Sequence, residues 1–366
     1  MNIHEAAEAG NTQGVRDLLD EPRGALRRKP NIDARDTDGF APLHHAAMNG
    51  HAETVALLLD RGADANAPQE RAGLAALHCA AAKGHVEVCT LLLDHGADIH
   101  AREELGQTPL HRAAMWGANE TAQLLLRRGA DVNARSNCGA TPLHMAISSL
   151  RDNTAAAELL LLHGADASAQ TDDGMPLLHS AIADRRTRIA AMLLDRGVDV
   201  NARWQDKNMT PLHLAVQKGC SEMVSLLLER GADMEAPDEA RMPLLHVAAQ
   251  WGHDEVVALL LDRGAEFCPW GPQALTPLHV AAVVGNVSTV ALFLDRGFDA
   301  NVRAIGGATP LHRAAALGQP EVVALLLDRG VDVNVRDAEG KTPLQAASEC
   351  GETETANRLR ERGGTQ

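Results

Sequence analysis

Apolar and polar positions alternate along this chain in short helical patterns that keep returning. In Thr108-Pro109-Leu110-His111-Arg112-Ala113-Ala114 small and apolar residues share one side of a predicted first helix, and Leu124-Leu125-Leu126 marks a second. Threonine is a good N-cap, its hydroxyl meeting an orphan amide, and proline at the first helical position loses nothing by lacking an N–H. Ala113-Ala114 keeps the first helix thin, so that neighbouring units approach closely. Gly117 turns the chain between the helices, and Gly129 takes the left-handed position that stops the second. From Ala130 to Arg135 the chain leads toward Gly139, a turn signal that projects a hairpin-like finger.

The pattern has a fixed period. The histidine slot of the T-P-L-H motif is filled by His44, His78, His111, His144, His179, His213, His246, His279, His312 and Gln345, at intervals of 33 to 35 residues. A glycine closing each L-L-L-x-x-G run keeps step, from Gly62 to Gly363. A period in this range signals stacked repeats, each too small to bury its apolar face alone.

The unit x-G-x-T-P-L-H-x-A-A-x-x-G-H, followed by L-L-L-D-R-G-A-D-V-N-A, resembles the ankyrin repeat. The resemblance covers nearly the whole chain and implies an all-α solenoid of about eleven helix-turn-helix repeats with β-hairpin-like finger loops. It divides the single domain 1–366 into a divergent N-terminal capping repeat with an enlarged loop (1–35), nine repeats (36–336, irregular at about 148–186) and a C-terminal capping repeat (337–366). With polar residues such as Glu352, Glu354 and Arg358 on its last helix, the array is expected to fold alone. The resemblance also implies that the recurring histidine braces the finger and the cap threonine. Asn66, Asn133, Asn201, Asn301 and Asn334 would order the turns. Those in Asp-Val-Asn resemble the site that asparaginyl hydroxylases modify in ankyrin proteins.

The spaced histidines do not make a metal site. Stacked helices sit about 8–10 Å apart, too far for equivalent rings to share one ion through bonds of about 2.0–2.1 Å. No metal and no cofactor is expected.

Ankyrin proteins bind mainly through finger tips and the concave face of the first helix, so specificity belongs to the variable positions. Five residues after the histidine slot stand Asn49, Lys83, Trp116, Ser149, Asp184, Lys218, Trp251, Val284, Leu317 and Cys350. Four residues before it, four consecutive fingers carry Met175, Met209, Met242 and Leu275. Soft methionines beside Trp251 and Val284 predict an adaptable apolar surface. Trp204 and Trp270 flank it in irregular connections, and tryptophan is a frequent interface anchor. Finger-against-finger packing of the methionines, and a proline-framed packing role for Trp270, are the competing explanations.

Other breaks are local. Residues 148–154 hold two extra positions and no Gly-His turn, and Ala183-Asp184-Arg185-Arg186 lacks the turn glycine. Pro176 and Pro243 replace the cap threonine, and Ala75-Ala76 replaces both threonine and proline, so weaker helix starts are expected there.

Composition narrows the function classes. The chain has 366 residues, 45% hydrophobic, 2% aromatic and no tyrosine, which suits packed helices rather than sheets. Its net charge of -15 argues against a nucleic-acid partner, which requires a concentrated cationic surface. Arg27-Arg28-Lys29 is expected to be a solvated loop. Six cysteines without a C-x-x-C pair suggest neither a disulfide framework nor a zinc site, and a reducing compartment. With no leader pattern at Met1-Asn2-Ile3 and no long apolar run, a soluble cytoplasmic or nuclear monomer is expected, with no membrane partner.

The expected function is a non-enzymatic protein–protein interaction scaffold that takes a partner helix or extended peptide, centred on the repeats from Met175 to Leu275. The alternative is a small-molecule site, with or without catalysis, where Asp184 and Lys218 meet Trp251 and a charged pair lies against an apolar wall.

Overall fold

The computed structural model describes residues 1–20, 31–149, 153–204, 208–237 and 239–366. The basic run Arg27-Arg28-Lys29 and most of the enlarged loop lie outside them, as do residues 150–152 of the fourth full repeat and Gln205, Asp206 and Lys207. Among the described residues there are twenty-two helices, which follow one another as eleven pairs.

One repeat shows why the sequence folds this way. Pro109–Trp116 starts at its proline and buries Leu110, Ala113 and Ala114 completely. Gly117 then turns the chain at φ 68°. A Cβ on Gly117 would stand 2.5 Å from Asn153 Oδ1, so both the backbone and the next repeat require glycine there. The second helix, Asn119–Arg127, buries Thr121, Ala122 and Leu125. With Ala113 and Ala114 keeping the first helix thin, first helices pack closely on first helices, and the second helices pack on each other more loosely.

Chain contacts divide the molecule into two compact units, Met1–Val198 and Asp199–Gln366. In the first, Ile3–Glu8 opens with a reciprocal cap: Asn2 N–H donates to Glu5 Oε2 and Glu5 N–H to Asn2 Oδ1, both at 2.9 Å. In the second, Thr353–Glu361 buries only Thr355, Ala356 and Leu359 and turns its charged side outward.

The repeats are also stitched along their outer edge. Arg263 meets Glu229 at 3.7 Å, Arg296 meets Asp262 at 2.9 Å, Arg329 meets Asp295 at 2.8 Å and Arg362 meets Asp328 at 2.7 Å. Each of these exposed pairs is worth at most about 1 kcal/mol. In the first unit the same ladder runs from Asp20–Arg61 to Asp94–Arg128. It then loses its partners in the sequence itself, because Arg127 and Leu162 stand in the acidic slot.

The irregular repeats keep their geometry by substitution. His85, His253 and Gln319 each reach back from the inter-helix turn to a carbonyl ending the preceding first helix, at 3.1, 3.0 and 3.0 Å. Where residues 148–154 lack the Gly-His turn, Asn153 does this instead, donating to Ala114 and Met115 carbonyls at 3.0 and 2.7 Å. Arg185 takes the left-handed conformation, φ 55°, that glycine takes in the regular turns.

Candidate partner-binding surface

The histidine slot proves to be the hinge pin between repeats. Nε2–H of His44, His78, His111, His246, His279 and His312 donates to the carbonyls of Leu74, Gln107, Ala140, Leu275, Ala308 and Lys341, at 2.8 to 3.1 Å. Those acceptors are the finger residues four before the next histidine slot. Nδ1 accepts, for example from the Thr108 amide at 3.1 Å and the Thr108 hydroxyl at 2.9 Å. The ring is therefore the neutral Nε2–H tautomer. Burial pushes the pKa of His44, His111, His144 and His279 down to about 4, which keeps them neutral.

This bears on two expectations. The threonine hydroxyl of Thr108, Thr141, Thr276 and Thr309 goes to the histidine ring rather than to a helix amide. Thr210 is a case that also accepts the third-residue amide, at 3.4 Å from His213 N. Helix starts without threonine are not displaced either, because His78 Nδ1 accepts the Ala75 amide at 3.2 Å and the helix begins at Ala76. At Pro243 the helix again begins on time, at Leu244, and the penalty falls elsewhere. Pro243 has neither N–H nor hydroxyl, and His246 Nδ1 is buried with no partner among the described residues.

The finger residues Met175, Met209, Met242 and Leu275 are all half-buried. The main chain of Leu275 is tied to His246, and antiparallel bridges pair Trp204 with Met209 and Trp270 with Leu275. Trp204 and Trp270 are half-buried too, and the Trp270 ring lies 6.0 Å from His246. Phe267 stacks on Phe298 at 4.0 Å and meets fully buried Phe293 edge-on at 5.3 Å, a local aromatic core.

These fingers are strained. Glycine takes positive φ at Gly39, Gly73, Gly106, Gly139, Gly174, Gly307 and Gly340, five residues before the histidine slot. In three consecutive repeats Asn208, Arg241 and Ala274 take the same conformation, at φ 47°, 51° and 48°. A side chain there costs about 1–2 kcal/mol, less for asparagine. Backbone strain of this sort gathers at functional sites.

Beside those fingers, the position five after the histidine slot ends each first helix. In the second unit it carries Lys218, Trp251, Val284, Leu317 and Cys350, all exposed. Trp251 is 54% exposed, Val284 40% and Leu317 49%, on three helices packed in succession. One turn earlier, Leu214 and Val280 are buried and Val247 half-buried beneath them. The carbonyls around the row are sealed: Asn286 Nδ2 donates to Ala249 and Gln250, and Gln319 to Val283. In the first unit Trp116, 44% exposed, occupies the equivalent slot, with Asn49, Lys83, buried Ser149 and exposed Asp184 at that slot in the other repeats.

Thus Lys218, Trp251 and Val284 lie in one row of the second unit, with Met209, Met242, Leu275, Trp204 and Trp270 in its fingers. Trp116, Met175 and Asp184 belong to the first unit. Leu317 completes the row. The irregular fingers end at Leu275 and give no pointer to it, so its place five after His312 is the one available signal.

A family model for ankyrin repeats matches overlapping segments from residue 3 to residue 365. This chain belongs to the ankyrin-repeat family. Ankyrin repeats are generally protein–protein interaction modules. Among curated relatives, human ankyrin repeat and KH domain-containing protein 1 is 51% identical over 43 residues, 12% of this chain and 2% of the relative. Rat Caskin-1 is 35% identical over 69 residues, 17% of this chain and 5% of the relative. Bovine ankyrin repeat domain-containing protein 49 is 40% identical over 62 residues, 17% of this chain and 24% of the relative. The chain thus spans a quarter or less of these relatives, and the likeness is one of repeat units. Among the described residues, no helix of this ankyrin array is long and apolar enough to cross a membrane. No group of three or more His, Cys, Asp or Glu among them is placed to hold a metal ion.

Proposed function

We propose that this ankyrin array is a non-enzymatic scaffold whose protein partner docks on the inner row of the second unit, flanked by the fingers of Met209, Met242 and Leu275. One observation carries the reading: three successive repeats present an exposed apolar residue at the same slot, Trp251, Val284 and Leu317, while the helix-end carbonyls of Ala249, Gln250 and Val283 are satisfied within the fold. Single exposed apolar residues are ordinary on a protein surface, but a contiguous row is a binding feature.

The test is a photo-crosslinking amino acid placed at Val284 and, as control, at exposed Leu162 of a second helix, in the cells that make the protein. A discrete protein adduct from Val284 and none from Leu162 is expected. Equal labelling from both positions, or none from Val284, refutes the surface.

A further inference from the structure

Within the first unit, neighbouring repeats are linked by the histidine brace, by an outer ion pair between second helices, and by an asparagine that reaches the glycine ending the next repeat. Between the first and second full repeats, His44 braces the Leu74 carbonyl at 2.8 Å and Asn66 Nδ2 donates to the Gly96 carbonyl at 3.0 Å. Between the second and third, His78 braces the Gln107 carbonyl at 3.0 Å and Arg128 pairs with Asp94 at 2.8 Å. Between the third and fourth, His111 braces the Ala140 carbonyl at 3.1 Å and Asn133 Nδ2 donates to the Gly164 carbonyl at 3.3 Å. Each of these joints keeps the brace and a second link.

The joint between the fourth repeat (helices Pro142–Ile147 and Thr154–Leu162) and the fifth (Leu177–Ala183 and Thr187–Leu194) keeps none of the three among the described residues. His144 is buried and Thr141 holds its Nδ1, but its Nε2 has no partner among them. The Met175 carbonyl, where the brace would end, accepts instead from Thr171 of its own finger, the amide at 3.3 Å and the hydroxyl at 3.4 Å. Leu162 fills the acidic slot, and Arg196, the residue that would face an acid there, turns back to the Met192 carbonyl at 3.2 Å. Ser168 fills the asparagine slot, and its hydroxyl goes to Asp166 of its own turn at 2.6 Å. The two first helices also pack on each other less closely than at the three earlier joints. Beside them lies a hollow of about 540 Å³, whose walls include Thr141, Ala169, Gln170 and Thr171.

The links that remain gather at the finger tips. Arg135 donates to the Gln170 carbonyl at 3.0 Å and pairs with Asp172 at 2.8 Å, and the Asp172 amide donates to the Cys138 carbonyl at 3.0 Å. Nearer the second helices stand a bond from Arg186 to the Ser149 carbonyl and one exposed pair, Arg188 with Glu158 at 3.9 Å. A pair that long and that exposed holds little. We propose that this joint is a hinge within the first unit. The finger tips are its axle, and the helices of the fourth and fifth repeats open and close about it. In the closed state His144 Nε2–H reaches the Met175 carbonyl, as its counterparts do at the earlier joints. Segments that move are drawn from the least stable parts of a fold, and hinges sit where few contacts resist rotation.

The test is hydrogen exchange read by mass spectrometry on the full chain at neutral pH, with the helices of the third repeat, Pro109–Trp116 and Asn119–Arg127, as the reference. The helices of the fifth repeat are expected to exchange about tenfold faster or more. Leu162→Asp combined with Ser168→Asn rebuilds two of the lost links from residues that neighbouring repeats use. It should slow the fifth repeat about fivefold and leave the third unchanged. His111→Gln removes a brace that is made and should speed exchange in the fourth repeat about fivefold. His144→Gln removes none and should change the fifth by less than about twofold. Equal exchange in the third and fifth repeats, no slowing in the rebuilt variant, or equal effects of the two histidine substitutions overturns the hinge.

Discussion

The two units share a backbone plan and differ in what they leave uncovered. In Met1–Val198 the row after the histidine slot is Asn49, Lys83, Trp116, Ser149 and Asp184, so its one tryptophan stands among polar neighbours. All five finger slots there that take positive φ are glycine, Gly39 to Gly174. In Asp199–Gln366 the row is apolar for three repeats, and the first three finger slots of that kind are Asn208, Arg241 and Ala274. Uncovered apolar surface and unrelieved backbone strain thus coincide in one unit. Neither helps the fold, so their coincidence favours a binding role over packing.

The largest expected effect sharpens that contrast from inside the core. Phe293 is fully buried between Phe267 and Phe298, and Phe293→Ala should cost about 3–5 kcal/mol in urea denaturation. A loss under about 1 kcal/mol means that the aromatic cluster is not the local core of the second unit.

The next effect should not distinguish the units, which makes it a useful control. The brace histidines His44, His111 and His279 have folded pKa values of about 4, against about 6.5 unfolded, so the unfolded chain binds more protons between these limits. Their contribution is therefore complete above pH 6.5 and is lost as pH falls toward 4, on the order of 1 kcal/mol or more for each histidine. Thermal melts should fall steeply over that window. His279→Gln copies the arrangement at Gln345, whose Oε1 accepts the Thr342 amide at 2.8 Å. It should lessen the fall while costing about 1 kcal/mol at pH 7. A melting temperature flat from pH 7 to 4 contradicts the neutral-brace assignment.

Smaller still are two repairs to the second unit. Pro243→Thr restores an amide and a hydroxyl to the orphaned His246 Nδ1 and should stabilise by about 1–2 kcal/mol. Ala274→Gly relieves a left-handed alanine and should gain about 1 kcal/mol. If finger strain is tied to binding, Ala274→Gly raises the melting temperature without tightening partner affinity. A gain in both would separate strain from function.

Much of this was legible in the sequence. Period, turn glycines and the Thr-Pro start fix where each helix begins, because those residues act through local backbone geometry. The brace role of histidine came with the family resemblance, but not the direction of its two nitrogens, which depends on a carbonyl about 30 residues away. For the same reason Pro243 suggested a weak helix start, whereas the unmet demand lies on His246. Asn153 was unreadable as a substitute for the turn histidine, since only the next layer shows which carbonyls it reaches. At the candidate surface, Trp251 and Val284 followed from their slot. The half-burial of Met175, Met209, Met242 and Leu275 did not; at Leu275 the finger main chain is tied to His246 of the preceding repeat, a partner 29 residues away.

The contrast between the two rows comes down to one binding titration. The protein captured from Val284 is titrated by calorimetry into the wild-type chain, Trp251→Asp and Trp116→Asp, all three checked for equal melting temperatures. An affinity loss of about tenfold or more is expected for Trp251→Asp, and less than about twofold for Trp116→Asp. Equal losses from the two substitutions, or a loss from Trp116→Asp alone, would contradict a binding role for the second unit's row.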